Sequence, residues 1–247
     1  MLILNSEYLV VFGVLLAVVA FLYSSVGHGG ASGYLALMAI FSFPVSVMKP
    51  SALVLNLFVS GISFFFYYRK NFFKLKLFYP FAISSVPAAF LGGMIPLENN
   101  YYKLLLGIVL ILAALRLFGF FNSKETRNSK INIPLAVAIG FGVGLLSGML
   151  GIGGGVILSP ILLLLGWASL KETAAISSLF IFVNSVAGLS GFFMNENRFP
   201  TETFYLVPIA VFGGMLGAYY GSGSFSNKVL KCVLATVILL ASVKLIV

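Results

Sequence analysis

The chain has 247 residues, 60% of them hydrophobic and only 9% charged. Soluble domains carry about 25% charged residues, and no soluble fold of this size hides so much apolar surface, so lipid is the expected solvent. Fifteen Lys and Arg stand against six Glu and no Asp, yet these charges sit in short gaps between apolar runs. A nucleic-acid partner would need them gathered on one polar face, so none is expected, and the spacing fits the positive-inside pattern of a multi-span protein.

The first apolar stretch has no basic region ahead of it, and Glu7 is the only charge before Lys49. It reads as a retained span rather than a cleaved signal peptide. Apolar segments then follow at about 8–26, 30–47, 51–68, 77–96 and 101–121. After the polar break from Asn122 to Lys130, a second set runs at about 133–150, 155–170, 174–194, 203–221 and 228–247. A full crossing takes roughly 20 apolar residues, so the short second segment of each set is expected to enter the membrane only part way. The expected fold is an all-α polytopic membrane protein: a first transmembrane repeat at 1–121, a basic cytoplasmic linker at 122–132, and a second repeat at 133–247. The lone Cys232 excludes an internal disulfide and a Cys-rich metal site. No cofactor is expected.

The two sets match as an internal duplication. Gly27, Gly29 and Gly30 fall on Gly151, Gly153 and Gly154 at an offset of 124, "KPSA" at Lys49–Ala52 resembles "KETA" at Lys171–Ala174, and Lys103 and Arg116 fall on Lys231 and Lys244. Charge bias alternates between corresponding gaps. Arg69, Lys70, Lys74 and Lys76 in the first half face Glu196, Arg198 and Glu202 in the second. Glu98 and Lys103 face Lys228 and Lys231. By the positive-inside rule the halves point opposite ways, and the inversion survives if the first two segments of each half form a re-entrant hairpin. Inverted repeats typify secondary transporters with a midplane site. This orientation puts the central linker in the cytoplasm and both termini outside.

Gly148, Gly151, Gly153, Gly154 and Gly155 crowd a stretch where a membrane helix should be strongest, and Gly27, Gly29 and Gly30 repeat the pattern. Each glycine in a helix interior costs about 1 kcal/mol against alanine. Close helix packing is one reading, since small residues let membrane helices approach. A broken helix is the other. It suits contiguous glycines between two apolar segments, and it frees backbone N–H groups that lipid cannot satisfy. A helix N-terminus carries about half a positive charge and holds an anion without a side-chain base. Two such ends meeting near the midplane would form an anion cradle.

Small polar residues lie close in sequence to the breaks. Ser24, Ser25 and Ser147 flank them, and Asn56, Ser177, Ser178 and Asn184 lie inside the third segments. They are read either as a wet, substrate-facing lining or as helix-to-helix hydrogen bonds. His28, the only histidine, is read as a packed ring, a substrate contact or a proton carrier titrating near neutral pH. Lys49 and Lys171 are read as interfacial lysines or as groups that draw anions in.

The glycine breaks, their repetition and the "A-x-x-S-S-L" at Ala174–Leu179 resemble the sulfite exporter TauE/SafE family. The resemblance implies transport of small anions such as sulfite, thiosulfate-like ions or organosulfonates across a prokaryotic cytoplasmic membrane. It maps the family glycines onto Gly27, Gly29 and Gly30 and onto Gly151, Gly153, Gly154 and Gly155. The first copy departs from the pattern, with Ala31 for the last glycine and His28 in the variable slot. A passive anion channel is the alternative. A rival from another class reads "GASG" at Gly30–Gly33 as a protease nucleophile motif with Ser32. That chemistry needs a base histidine from another helix, and the chain offers only His28, four residues away.

Overall fold

The computed structural model describes residues 6–119, 131–195, 200–201, 203–223 and 228–246. Among these there are ten helices and no strand: α1 (Ser6–Ser24), α2 (Ala31–Ile40), α3 (Val45–Arg69), α4 (Leu75–Met94), α5 (Asn99–Phe118), α6 (Ile133–Leu150), α7 (Gly155–Leu164), α8 (Leu170–Asn195), α9 (Thr203–Ser222) and α10 (Lys228–Ile246). Five of them, α3, α4, α6, α8 and α9, are long and apolar enough to cross a membrane. Large apolar side chains such as Val14, Phe65, Ile83, Phe141, Phe212 and Leu240 face outward. Such a surface suits lipid and would aggregate in water. The expected segment starting at 51 begins six residues earlier, because Lys49 and Pro50 lie inside α3, and the second segments end early, at Ile40 and Leu164. Pro50 is the sixth residue of α3, past the first turn, so the helix there lacks the hydrogen bond an N–H at this position would donate to the Ser46 carbonyl.

Helices of the first five pack chiefly on helices of the last five. α3 packs on α8, α5 on α10, α1 on α9, α4 on α6, α3 on α9 and α4 on α8. Exchanging the two sets maps these pairings onto themselves. α3 and α8 run antiparallel, with Leu53 beside Gly188 and Gly61 against Phe182. By contrast, α4 and α6 run parallel, as do α1 and α9.

Glycines four apart make those parallel contacts. A Cβ on Gly140, Gly144 or Gly148 of α6 would strike the backbone of Phe81, Ser85 or Ala89. A Cβ on Gly213, Gly217 or Gly221 of α9 would strike the carbonyl of Ala17, Phe21 or Ser25. Main chain thus meets main chain along whole helix faces, the contact small residues permit. Gly148 belongs to this packing stripe.

These contacts define two ends of the molecule. The Arg69 end holds the close of α3, α1 and α9 and the start of α4 and α8. The Tyr67 hydroxyl donates to the Ser25 carbonyl there, and Lys171 lies over the Tyr67 ring. The Met94 end holds the start of α3 and α5 and the close of α4 and α6, where the Tyr102 hydroxyl donates to the Leu150 carbonyl.

Candidate site where two helix starts meet

α1 stops at Ser24 and the chain turns back. Ser63 and Tyr67 of α3 bond the carbonyls of Ser24 and Ser25 near the Arg69 end, but Ala31 N–H, at the start of α2, donates to Asn56 Oδ1 at 3.1 Å. Asn56 is next to the centre of α3 (Val45–Arg69). The descent from Tyr67 to Asn56 covers about 16 Å at 1.5 Å per residue, after which α2 returns toward the start of α3. At the other end α6 closes on Gly151, which packs on the Lys49 backbone, and α7 starts at Gly155.

Both turns use left-handed backbone at equivalent positions. Gly30 (φ 98°) precedes α2 and Gly154 (φ 79°) precedes α7, and Gly27 and Gly151 have φ of 77° and 78°. Side chains with a Cβ are strained in this region.

The two turns converge. Gly29 and Gly153 both lie against Asn56 and Ile181, and Gly155 lies against Ile181 and the His28 ring. Asn56 therefore bridges the breaks. Its Oδ1 must be the acceptor, because Ala31 offers it an N–H, so Nδ2 is the edge beside Gly153. That Nδ2 is buried and has no hydrogen-bond partner among the described residues. So are Ser24 Oγ, Ser147 Oγ, the Tyr34 hydroxyl and both amide atoms of Asn184. Buried polar side chains nearly always have a partner; of these orphans Asn56, Ser147 and Tyr34 stand at the two helix starts, against Gly153, Gly154 and Gly30, and present hydrogen-bond donors there.

The sequence candidates thus separate. Gly29, Gly30, Asn56, Gly153, Gly154 and Gly155 frame the meeting point. Gly27 packs on Ala174 and Gly151 on Lys49, where they shape the turns. Ser25, just past α1, donates to the Leu22 carbonyl in the last turn of that helix, and Ser178 donates to the Ala175 carbonyl of its own. Ser147 abuts Gly154 through its Cβ. His28 Nδ1 is 3.0 Å from the Val26 carbonyl, and its Nε2 is 2.8 Å from Ser159 Oγ and 3.2 Å from the Gly155 carbonyl. Ser177 Oγ is 2.7 Å from the same Ser159 hydroxyl. Ser32, the nucleophile of the protease reading, bonds Tyr23 at 2.6 Å. Three further residues carry no distinctive sequence signal. Ser159 is the single hydroxyl of apolar α7, Ile181 is one apolar residue among many in α8, and Tyr34 curls back so that its ring end covers Gly30.

Lys49 and Lys171 act on helix ends. Lys49 Nζ donates to the Gly93 carbonyl in the last turn of α4, and Lys171 Nζ to the Gly221 and Gly223 carbonyls at the close of α9. Two cavities adjoin them. One of about 700 Å³ at the Arg69 end is lined by Phe66, Arg69, Lys70, Tyr219 and Tyr220, and one of about 150 Å³ at the Met94 end includes Lys49, Tyr102 and Phe192.

A helical chain with an apolar exterior and five helices long and apolar enough to cross a membrane is a multi-pass membrane protein. It belongs to the sulfite exporter TauE/SafE family, whose profile matches residues 11–245. It is similar to the probable membrane transporter protein y4hK of Sinorhizobium fredii, with 34% identity over 93% of this chain and 94% of the relative. It is also similar to two probable membrane transporter proteins of Bacillus subtilis: YdhB, 28% identical over 87% of this chain and 89% of the relative, and YunE, 27% identical over 67% and 68%. No solved structure matches. The chain is accordingly a membrane transporter and not an enzyme.

Proposed function

We propose that the protein is a secondary carrier for a small sulfur-containing anion of the sulfite, thiosulfate or organosulfonate class, held where the starts of α2 and α7 meet. The observation that carries this reading is Asn56. It is buried near the centre of α3, bonded through Oδ1 to the first N–H of α2, and offers a free Nδ2 beside Gly153. Each helix start contributes about 0.3–2 kcal/mol to holding an anion, and each charge-assisted hydrogen bond about 1.5–3 kcal/mol. A fixed cation at mid-membrane would cost roughly 2.5–3.5 kcal/mol on insertion scales. Backbone binding is therefore the economical route to weak, reversible affinity. The family name supports the anion class.

The halves, 1–121 and 133–247 joined by 122–132, are two inverted repeats in this reading. Support comes from α3 and α8, equivalent helices that pack antiparallel near their centres. A two-fold axis relating them lies across the helices, hence in the membrane plane. The Arg69 end carries Arg69, Lys70, Lys74, Lys76 and Lys171 against Glu172 among the described side chains, so it faces the cytoplasm of a prokaryotic cell. Its cavity gathers anions, and rocking of the halves exposes the site to each face in turn.

A passive channel is the alternative. Counterflow separates the two: proteoliposomes preloaded with unlabelled substrate accumulate labelled sulfite transiently if a carrier operates. Large conductance without counterflow would sink the carrier reading. Parallel binding of sulfite, sulfate, thiosulfate, sulfoacetate and carboxylates to purified protein identifies the anion.

A further inference from the structure

We propose that His28, Ser159 and Ser177 form a one-sided proton path from the midplane site to the Arg69 end, so that an anion crosses together with a proton. This rests on the carrier reading above.

The path is continuous in its first steps. His28 Nε2 lies 2.8 Å from Ser159 Oγ, and Ser159 Oγ lies 2.7 Å from Ser177 Oγ. All three side chains are buried. They join the first break to α7 and α8, so the path spans both halves. One helical turn from Ser177 toward the start of α8 is Thr173, whose Oγ1 is buried with no hydrogen-bond partner among the described residues. The rise from Ser177 to Thr173 is about 6 Å, a gap one bridging water closes. Beside Thr173 stands Glu172, which accepts the Ser169 N–H and lies 3.6 Å from Lys74 at the mouth.

The acceptors around the ring suit both protonation states. In neutral His28, Nδ1–H donates to the Val26 carbonyl and Nε2 accepts the Ser159 hydroxyl. In the imidazolium, Nε2–H has the Gly155 carbonyl at 3.2 Å, and the Ser159 hydroxyl turns to the same carbonyl at 2.7 Å. Protons balance along the chain. Ser177 and Ser159 each receive one and release one, and Nε2 retains the last.

The groups facing the ring are the Tyr23 phenol from α1, Ser159 and the Gly155 carbonyl from α7, and, through Ser159, Ser177 from α8. α2 carries Tyr34 as its sole ionisable group, and α7 carries none. On α3 the charges are Lys49 and Arg69, near its ends, and on α8 they are Lys171 and Glu172, at its start.

The symmetry of the molecule sharpens the point. At the duplication offset of 124, Ile152 stands for His28 and Leu35 for Ser159, and at the offset of 122 that relates Lys49 to Lys171, Leu55 stands for Ser177. All three counterparts are aliphatic and buried. The cradle is thus doubled, but the hydroxyl path exists once and leads to one face.

The test uses proteoliposomes and thiosulfate or sulfoacetate, strong-acid anions whose charge stays constant near neutral pH. Counterflow and accumulation driven by an imposed pH gradient, with the membrane potential clamped, are measured on the same preparation, and their ratio is the readout. In Ser159→Ala the ratio falls at least tenfold while counterflow stays within about twofold of wild type, and Ser159→Thr, which keeps the hydroxyl, restores it. His28→Gln and Ser177→Ala lower the same ratio and serve if Ser159→Ala does not fold. An unchanged ratio in all three variants, or wild-type counterflow with no response to the pH gradient, overturns the proton path and leaves the carrier standing. Absence of counterflow in wild type overturns the carrier itself.

Discussion

Lys49 and Lys171 make the same interaction at opposite ends of the molecule. Lys49 donates to Gly93 of α4 and lies 5.8 Å over the Phe192 ring of α8. Lys171 donates to Gly221 of α9 and lies 5.8 Å over the Tyr67 ring of α3. Each ammonium thus caps a helix of its own half while resting on an aromatic ring of the other half. A cation beside terminal carbonyls is favoured by the helix dipole, and the aromatic face lowers the cost of burying it.

Replacing either lysine by methionine leaves buried carbonyls without their donor, a loss of about 1–3 kcal/mol. Lys49→Met and Lys171→Met are expected to lower the thermal midpoint of the detergent-purified protein. Because the sites lie far apart, the double variant should lose about the sum. Differential scanning fluorimetry checks both statements, and strong non-additivity would show that the two ends are coupled.

The packing glycines and the break glycines should fail differently. A Cβ at Gly217 would collide with the Phe21 carbonyl, and one at Gly144 with that of Ser85. Gly217→Val and Gly144→Val are expected to give no monodisperse protein on size exclusion. Gly153→Leu is expected to insert normally and to lose transport at least a hundredfold, because it crowds Asn56 and Ile181 where the breaks meet. Normal transport by Gly153→Leu would contradict the site.

Asn56 separates binding from folding. Asn56→Asp keeps the acceptor for the Ala31 N–H but replaces the free Nδ2 with a carboxylate oxygen. Repulsion between unit charges about 4 Å apart is roughly 4 kcal/mol at an effective dielectric constant of 20, so affinity for sulfite should fall at least a hundredfold with the protein still monodisperse. Asn56→Ala should cost about 1–3 kcal/mol of stability, through the orphaned N–H of α2. Isothermal titration and fluorimetry read the two effects.

Ser32 donates to or accepts from Tyr23, and the His28 ring turns to Ser159 instead. A fluorophosphonate probe is expected not to label Ser32, and Ser32→Ala should transport within about threefold of wild type. Labelling at Ser32 would reopen the hydrolytic reading.

Much of this arrangement is legible in the sequence, because it is written in local pattern. Membrane-length apolar runs separated by charges mark the helices, and contiguous glycines at matching offsets mark the points where α1 and α6 end. The pairing of α4 with α6 and of α1 with α9 is not legible there, since no local signal says which helix a glycine stripe will meet. Gly140, Gly144 and Gly148 do carry the spacing of a packing face, and Gly148 reads as part of the break only until that spacing is followed back along α6. Ser159 gives no signal at all. Its importance arises because α7 folds back beside His28, 131 residues away in sequence. Lys49 and Lys171 show their equivalence in sequence but not their role, which depends on where α4 and α9 end.

An anion seated between the starts of α2 and α7 is the centre of the proposed mechanism. Crystals or frozen grids of the protein soaked with selenite, a heavier relative of sulfite, test it most directly. Selenium density is expected within hydrogen-bond reach of Asn56 Nδ2, bounded by Gly29, Gly30 and Gly153–Gly155. Density confined to the cavity beside Arg69 and Lys70, with the meeting point empty in transport-competent protein, would contradict it.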